Sequence, residues 1–160
     1  MTDFIQLKKD NILRIGIKDT EGNDTGEHLE FDLEDIELPL RINECEMKHK
    51  KNVEFLRNQF VIIDKKEDKK GKFILSSREE EKLRVLKEFY KREAEALDLF
   101  LGKDGTKKML NGRSEYYSMY EDINEMLEPV LPKLKLRADD IANKIKDKYQ
   151  TKDTEKNVLK

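Results

Sequence analysis

Two stretches of the chain repeat apolar residues at steps of three and four, and that spacing commits most of the sequence to helices packed through narrow stripes. In the first, Ile42, Cys45, His49, Val53, Leu56, Phe60 and Ile63 fall on one face, while Lys48, Lys50, Lys51, Glu54 and Arg57 occupy the other. Pro39 precedes them, where a first helical turn tolerates a missing backbone donor. In the second, Leu83, Leu86, Phe89, Tyr90, Leu97, Phe100 and Leu101 make the stripe, with Ala94 among them. Ser77 with Glu80 three residues on predicts a capping box at its start, and Gly102 stands where a left-handed C-cap is wanted. Charged residues make up 42% of the chain against 36% hydrophobic, so the core is thin and the polar faces of the helices carry the excess charge.

Ahead of these helices the period changes to two. Leu13, Ile15 and Ile17 alternate with Arg14 and Gly16; after a turn from Asp19 to Gly26, Leu29, Phe31 and Leu33 alternate with Glu30, Asp32 and Glu34. Both runs read as half-buried strands of one hairpin, which is marginal in water unless its apolar face packs on a helix. Between the long stripes, Lys65 to Lys72 reads KKEDKKGK, a solvated connection, and a brief extended segment is expected at Phe73, Ile74 and Leu75. Thr106 is expected to cap a short helix ending near Gly112, and Ser114 another with Tyr116, Tyr120, Ile123 and Leu127 on its stripe. Pro129 and Pro132 set a boundary, and a last amphipathic helix carries Leu134, Ala138, Ile141, Ile145 and Tyr149. The expected fold is α+β, mostly α. An N-terminal β-hairpin region over 1–38 packs on a helical domain over 39–150 that holds a bundle of about four to five helices, followed by a flexible polar tail over 151–160.

Several chemistries are disfavoured by counting. Acidic residues number 35 and basic ones 33, a balance that leaves no general basic face for nucleic acid. Cys45 is the single cysteine, which excludes an intramolecular disulfide and a cysteine-rich zinc cluster. No apolar run approaches a bilayer span, and Met1-Thr2-Asp3-Phe4 has neither the basic start nor the apolar stretch of a signal peptide. The expectation is therefore a cytoplasmic protein with no membrane contact.

Candidate sites weigh towards structural roles. His28 is expected to be solvated in a turn, and His49 to be half-buried on its helix. Cys45, one turn from His49, suggests a Cys–His nucleophile, but a cysteine on a core-facing stripe is far more often a small hydrophobe. Asp19, Glu21, Asn23 and Asp24 offer hard oxygen donors; however, Asp24 takes the place of the EF-hand glycine and no glutamate closes the loop, so a plain turn is expected. The run GKDGTKK from Gly102 lacks the Walker spacing and follows a helix instead of a strand. No catalytic residue, metal ligand or cofactor is expected, and the chain reads as a binding protein and not an enzyme. Tyr117 falls off the stripe of Tyr116 and Tyr120 and is expected as an exposed anchor for a protein partner.

The segment from Leu97 to Arg113, LDLFLGKDGTKKMLNGR, resembles a signature of tail assembly chaperones from long-tailed bacteriophages and prophages of Gram-positive hosts. In that family a helix rich in Lys and Glu ends in Leu-Asp, an apolar pair and Gly. A Gly-Thr-plus-Lys turn then leads into a short helix, a second Gly and a further helix. Leu97, Asp98, Phe100, Gly102, Gly105, Thr106, Lys107, Lys108 and Leu110 take those places here. Where the family often has an aromatic residue followed directly by glycine, this chain has Leu110, then Asn111, then Gly112.

The resemblance implies a morphogenesis protein, absent from the mature virion, that coats the tape-measure protein while the tail tube polymerises in the cytoplasm of the host bacterium. It further implies self-association, the major tail protein as a neighbouring partner, no cofactor, and a longer form made by translational frameshift. The rival expectation is a small phage or prophage regulatory protein that binds DNA or a host factor, which requires a basic recognition helix after a tight turn.

Overall fold

A computed structural model describes residues 1–8 and 11–158, with the side chains of 135–138 and 151–158 outside that description. The chain forms β1 (Ile12–Lys18), β2 (Asp24–Asp32), α1 (Glu37–Asp64), α2 (Ser77–Leu101), α3 (Gly105–Leu110), α4 (Met119–Leu127) and α5 (Leu131–Val158). This is the α+β, mostly helical class that the two periodicities predict.

β1 and β2 pair antiparallel, with Leu13 opposite Phe31 and Ile15 opposite Leu29, so the alternating apolar residues share one face. The connecting turn is shorter than the run of turn-forming residues implies. It closes at Asn23, because Asp19 Oδ1 accepts the N–H groups of Glu21 and Asn23 at 2.9 and 2.8 Å. Asp24 to Gly26 thus belong to β2, and a register irregularity between Gly16 and Lys18 absorbs the difference. His28 accordingly lies in β2 opposite Gly16, and not in a turn. The hairpin meets α2 and α3 through β2.

α1 and α2 run antiparallel and make the most extensive packing between helices. Their seam extends from Lys82 Nζ on Asp64 Oδ1, beside the loop, past Arg92 stacked 3.8 Å over the Phe55 ring, to His49 against Glu93. The C-terminal half of α2 carries the centre of the core: Ala96 and Leu97 are inaccessible, and Phe100, Leu101, Met119, Tyr120, Ile123 and Leu127 close around them with Phe31 and Leu38.

Several boundaries differ from expectation for local reasons. Ser76, and not Ser77, caps α2: its side chain accepts the Glu79 N–H, while Ser77 Oγ accepts the Lys69 N–H at 2.8 Å and ties the polar loop to the helix start. Phe73 and Ile74 lie in a bend and Leu75 in irregular backbone after it, not in an extended strand, with Phe73 and Ile74 exposed. Gly102 ends α2 at φ 90° and ψ 177°, a positive φ as predicted but outside the left-handed helical region. Thr106 lies inside α3, where Asp104 is the capping position, and Ser114 precedes the next helix, which starts only at Met119. In α5, Leu134 is buried, yet Ile145 and Tyr149 are 52% and 61% exposed because the helix outruns the core. Ala138 lies outside the described side chains. Residues 151–158 of the expected flexible polar tail continue α5 as helix to Val158, and residues 159–160 lie outside the described ones. Among the described residues, no helix is long and apolar enough to cross a membrane.

Candidate functional site

The residues of the Leu97–Arg113 segment come together as one corner between α2 and α3. Leu97 and Phe100 point into the core, and Leu110 packs against its edge. Asp98, one turn before the end of α2, reaches across the corner: its Oδ1 accepts the Thr106 N–H at 2.8 Å. The cap of α3 therefore comes from α2, which explains why Asp98 and Thr106 occur together at this spacing. Thr106 is 2% exposed, and its hydroxyl donates to the Ala94 carbonyl at 3.3 Å. Between them the chain turns through Gly102, whose N–H donates to the Asp98 carbonyl at 3.1 Å, and Asp104, held at φ 58°. Gly105 is required by contact, since a Cβ there falls 2.4 Å from Leu101 Cβ. Tyr117 stands apart from the corner at 67% exposure.

One flank of the corner is a shallow groove of about 740 Å³, lined by Leu83, Leu86, Tyr90 and Ala94 of α2 and by Thr106 and Leu110 of α3. Leu83 is 51% exposed, and Leu86, Tyr90 and Leu110 are half-buried, so the floor is an apolar strip. Lys87, Lys107 and Arg113 border it together with Glu115, and the Asp98 carboxylate at its end already holds the α3 cap. The rim is therefore mainly cationic. Arg113 is steadied by stacking 4.0 Å over the Tyr116 ring.

A second cluster is buried between α1 and α2. Glu93 is 2% exposed and accepts from Asn52 Nδ2 at 2.7 Å and His49 Nδ1 at 2.6 Å. His49 stacks flat on Tyr120, with centroids 3.6 Å apart, and the Tyr120 hydroxyl donates to Glu46 at 3.1 Å. His49 is thus held from two sides as a half-buried structural residue, with a partner that the apolar stripe did not reveal. The signal was present: Glu93 falls four residues after Phe89 and four before Leu97, a charged residue at a core position. Cys45 lies one turn away and is 2% exposed. Burial pushes its thiol up to about 12, so it stays protonated at neutral pH, the opposite of an activated nucleophile. Burial likewise raises the Tyr120 phenol well above the ordinary range.

The oxygen-rich turn resolves into backbone holders. Asp19 Oδ1 is shared by two N–H groups of the turn, and Asp24 Oδ1 accepts the Gly26 N–H at 2.8 Å. No group of three or more metal-ligating side chains occurs among the described residues. Compared with known proteins, the chain matches no family model, no curated protein and no solved structure.

Proposed function

We propose that this protein is a tail assembly chaperone of a long-tailed phage or prophage, acting in the host cytoplasm. In this reading it covers apolar stripes of the tape-measure protein until the tube of major tail protein closes around it, and is absent from the mature virion. The observation that carries the reading is the groove on the α2–α3 corner. The residues that resemble the family signature do not form a reactive centre; they build a rigid ledge beneath an open apolar strip. A strip of two leucines, a tyrosine and a third leucine matches the i, i+3, i+4 face of a client helix, and the cations on its rim suit acidic residues flanking that face. Coverage by such a shallow surface is reversible, as a chaperone requires.

Co-expression with the tape-measure protein encoded beside it tests the proposal. The client is expected to become soluble and to co-purify with the chaperone. Leu83→Asp, at an exposed position, is expected to abolish capture while leaving the melting temperature unchanged. A client that stays insoluble and is not retained removes the chaperone reading, and capture that survives Leu83→Asp removes the groove as its site.

A further inference from the structure

The antiparallel pair of α1 and α2 reaches well past the core. On α2 the core begins at Ala94, about 25 Å along the helix axis from Ser77. The loop at that far end is nevertheless held firmly. The Lys69 N–H donates to Ser77 Oγ, and the Ser77 N–H donates to the Lys69 carbonyl, both at 2.8 Å. Arg78 Nε donates to the Lys66 carbonyl at 2.6 Å, and Asp68 Oδ1 accepts the Arg78 N–H at 3.2 Å. Gly71 lies so close to the Leu75 carbonyl that a Cβ there would collide with it, which pinches the loop at its neck. Between Gly71 and Leu75 there remains a short tip, Lys72-Phe73-Ile74, presented on a fixed base.

Two features meet in this loop. Phe73 and Ile74 are 93% and 81% exposed, adjacent large apolar side chains largely bare of their own molecule. Lys65, Lys69, Lys70 and Lys72 are also exposed and, among the described residues, have no ion-pair partner. Several nearby acids are already paired: Asp64 with Lys82, Glu80 with Arg84 and Glu81 with Lys66. Glu67, Asp68 and Glu79 remain, so with Arg78 counted the cations are in excess.

The composition discriminates between partners. Protein interfaces are depleted in lysine and favour arginine and aromatic anchors, whereas Lys65 to Ser76 holds five lysines and no arginine. Nucleic acid uses the charge but gains nothing from an aliphatic side chain such as Ile74, since bases stack on aromatic ones. An anionic bilayer uses both, because ammonium groups meet the negative surface while apolar side chains enter the headgroup boundary. We infer that the α1–α2 tip docks on an anionic phospholipid bilayer, with Phe73 and Ile74 inserted and the lysines on the headgroups. A surface loop needs neither a spanning helix nor a leader, the two features on which the expectation of no membrane contact rests. Attachment through two side chains and a modest excess of charge is weak and reversible. The groove and the α2–α3 corner take no part, so this docking stands or falls apart from the chaperone reading.

Co-sedimentation of the full chain with vesicles tests it. Retention is expected on equimolar phosphatidylglycerol and phosphatidylcholine, falling with added salt, and not on phosphatidylcholine alone. Lys69→Gln and Lys70→Gln are each expected to weaken it about fivefold, and Phe73→Ser with Ile74→Ser at least about tenfold. All four side chains are exposed, so the melting temperature is expected to stay unchanged. The chain has no tryptophan, so Phe73→Trp supplies a single reporter. Its emission is expected to shift to the blue on the anionic vesicles and to be quenched by brominated acyl chains. A wild type that stays free of anionic vesicles, binding indifferent to the Phe73→Ser, Ile74→Ser change, or a reporter unmoved on bound vesicles overturns the inference. So does tighter binding to duplex DNA than to vesicles with the same indifference, which makes the tip a nucleic-acid contact instead.

Discussion

Replacing Glu93 with alanine removes the polar pin between α1 and α2, the most extensively packed pair of helices, and its cost follows from the geometry. Glu93 is 2% exposed and holds Asn52 and His49 at 2.7 and 2.6 Å, so both contacts are short and made to a carboxylate in a dry setting. Hydrogen bonds to charged groups contribute about 1.5–3 kcal/mol each, and removing one member of a buried polar pair costs about 3–5 kcal/mol because the other is left unsatisfied. Asn52, at 8% exposure, recovers little hydration, whereas the His49 side chain at 17% recovers more, so the total stays in that range and does not double. At about 2–4 °C per kcal/mol for a domain of this size, the midpoint is expected to fall by about 6–20 °C. Thermal and urea unfolding followed by circular dichroism measure it. Glu93→Gln keeps the shape and an acceptor for Asn52 and is expected to lose less, while Glu93→Leu combined with Asn52→Leu is expected to recover most of the loss by replacing both partners with apolar groups. A Glu93→Ala protein that unfolds cooperatively within about 1 kcal/mol of wild type refutes the reasoning, since no buried unsatisfied group is that cheap.

Three further outcomes follow from the geometry. In the folded protein Cys45 is expected to react with a disulfide reagent far more slowly than in urea; the raised thiol keeps its stabilising contribution below the ordinary value of 9.0 and loses it as pH climbs towards about 12, visible as a falling midpoint on the alkaline side. Asp98→Ala deletes the cap of α3 and is expected to cost about 1 kcal/mol, and Gly105→Ala about 1–3 kcal/mol through the clash with Leu101, both read by urea titration; equal midpoints for all three proteins would show that the corner is not rigid. The hydrogen bond from Arg41 holds the Asp35 carboxyl below its ordinary 3.8, so its contribution is present above that value and is lost as pH falls through the depressed one; Arg41→Ala is expected to return its NMR titration to the ordinary range.

The periodicities were legible because burial is one-sided in both classes of element. Leu13, Ile15 and Ile17 with Leu29 and Phe31 give the hairpin, and Tyr120, Ile123 and Leu127 give α4, as residues that water cannot reach from one side. Boundaries were less legible where two residues satisfy one rule. Ser76 and Ser77 each precede a glutamate by three, Glu79 and Glu80, and only the polar loop's claim on Ser77 decides between them. Thr106 has the chemistry of a cap, but a cap donated from the preceding helix by Asp98 has no local signature. The α5 stripe reads as buried through Tyr149 because spacing reports a face without reporting whether anything lies opposite it. The site divides similarly: the segment from Leu97 to Leu110 marks the corner, while Leu83, Leu86 and Tyr90, which form the groove floor, read simply as core.

The buried carboxylate also carries information about alignment. Buried apolar residues such as Leu56 and Ile63 on α1, and Phe89 and Leu97 on α2, tolerate sliding of one helix past the other, because one apolar contact replaces another. Shifting α1 by one turn, about 5.4 Å, carries His49 and Asn52 away from Glu93 and leaves a charge facing hydrocarbon. The two helices therefore have a single permitted setting, and everything mounted on their ends, the α2–α3 ledge at one and the Lys-rich loop at the other, inherits a fixed separation.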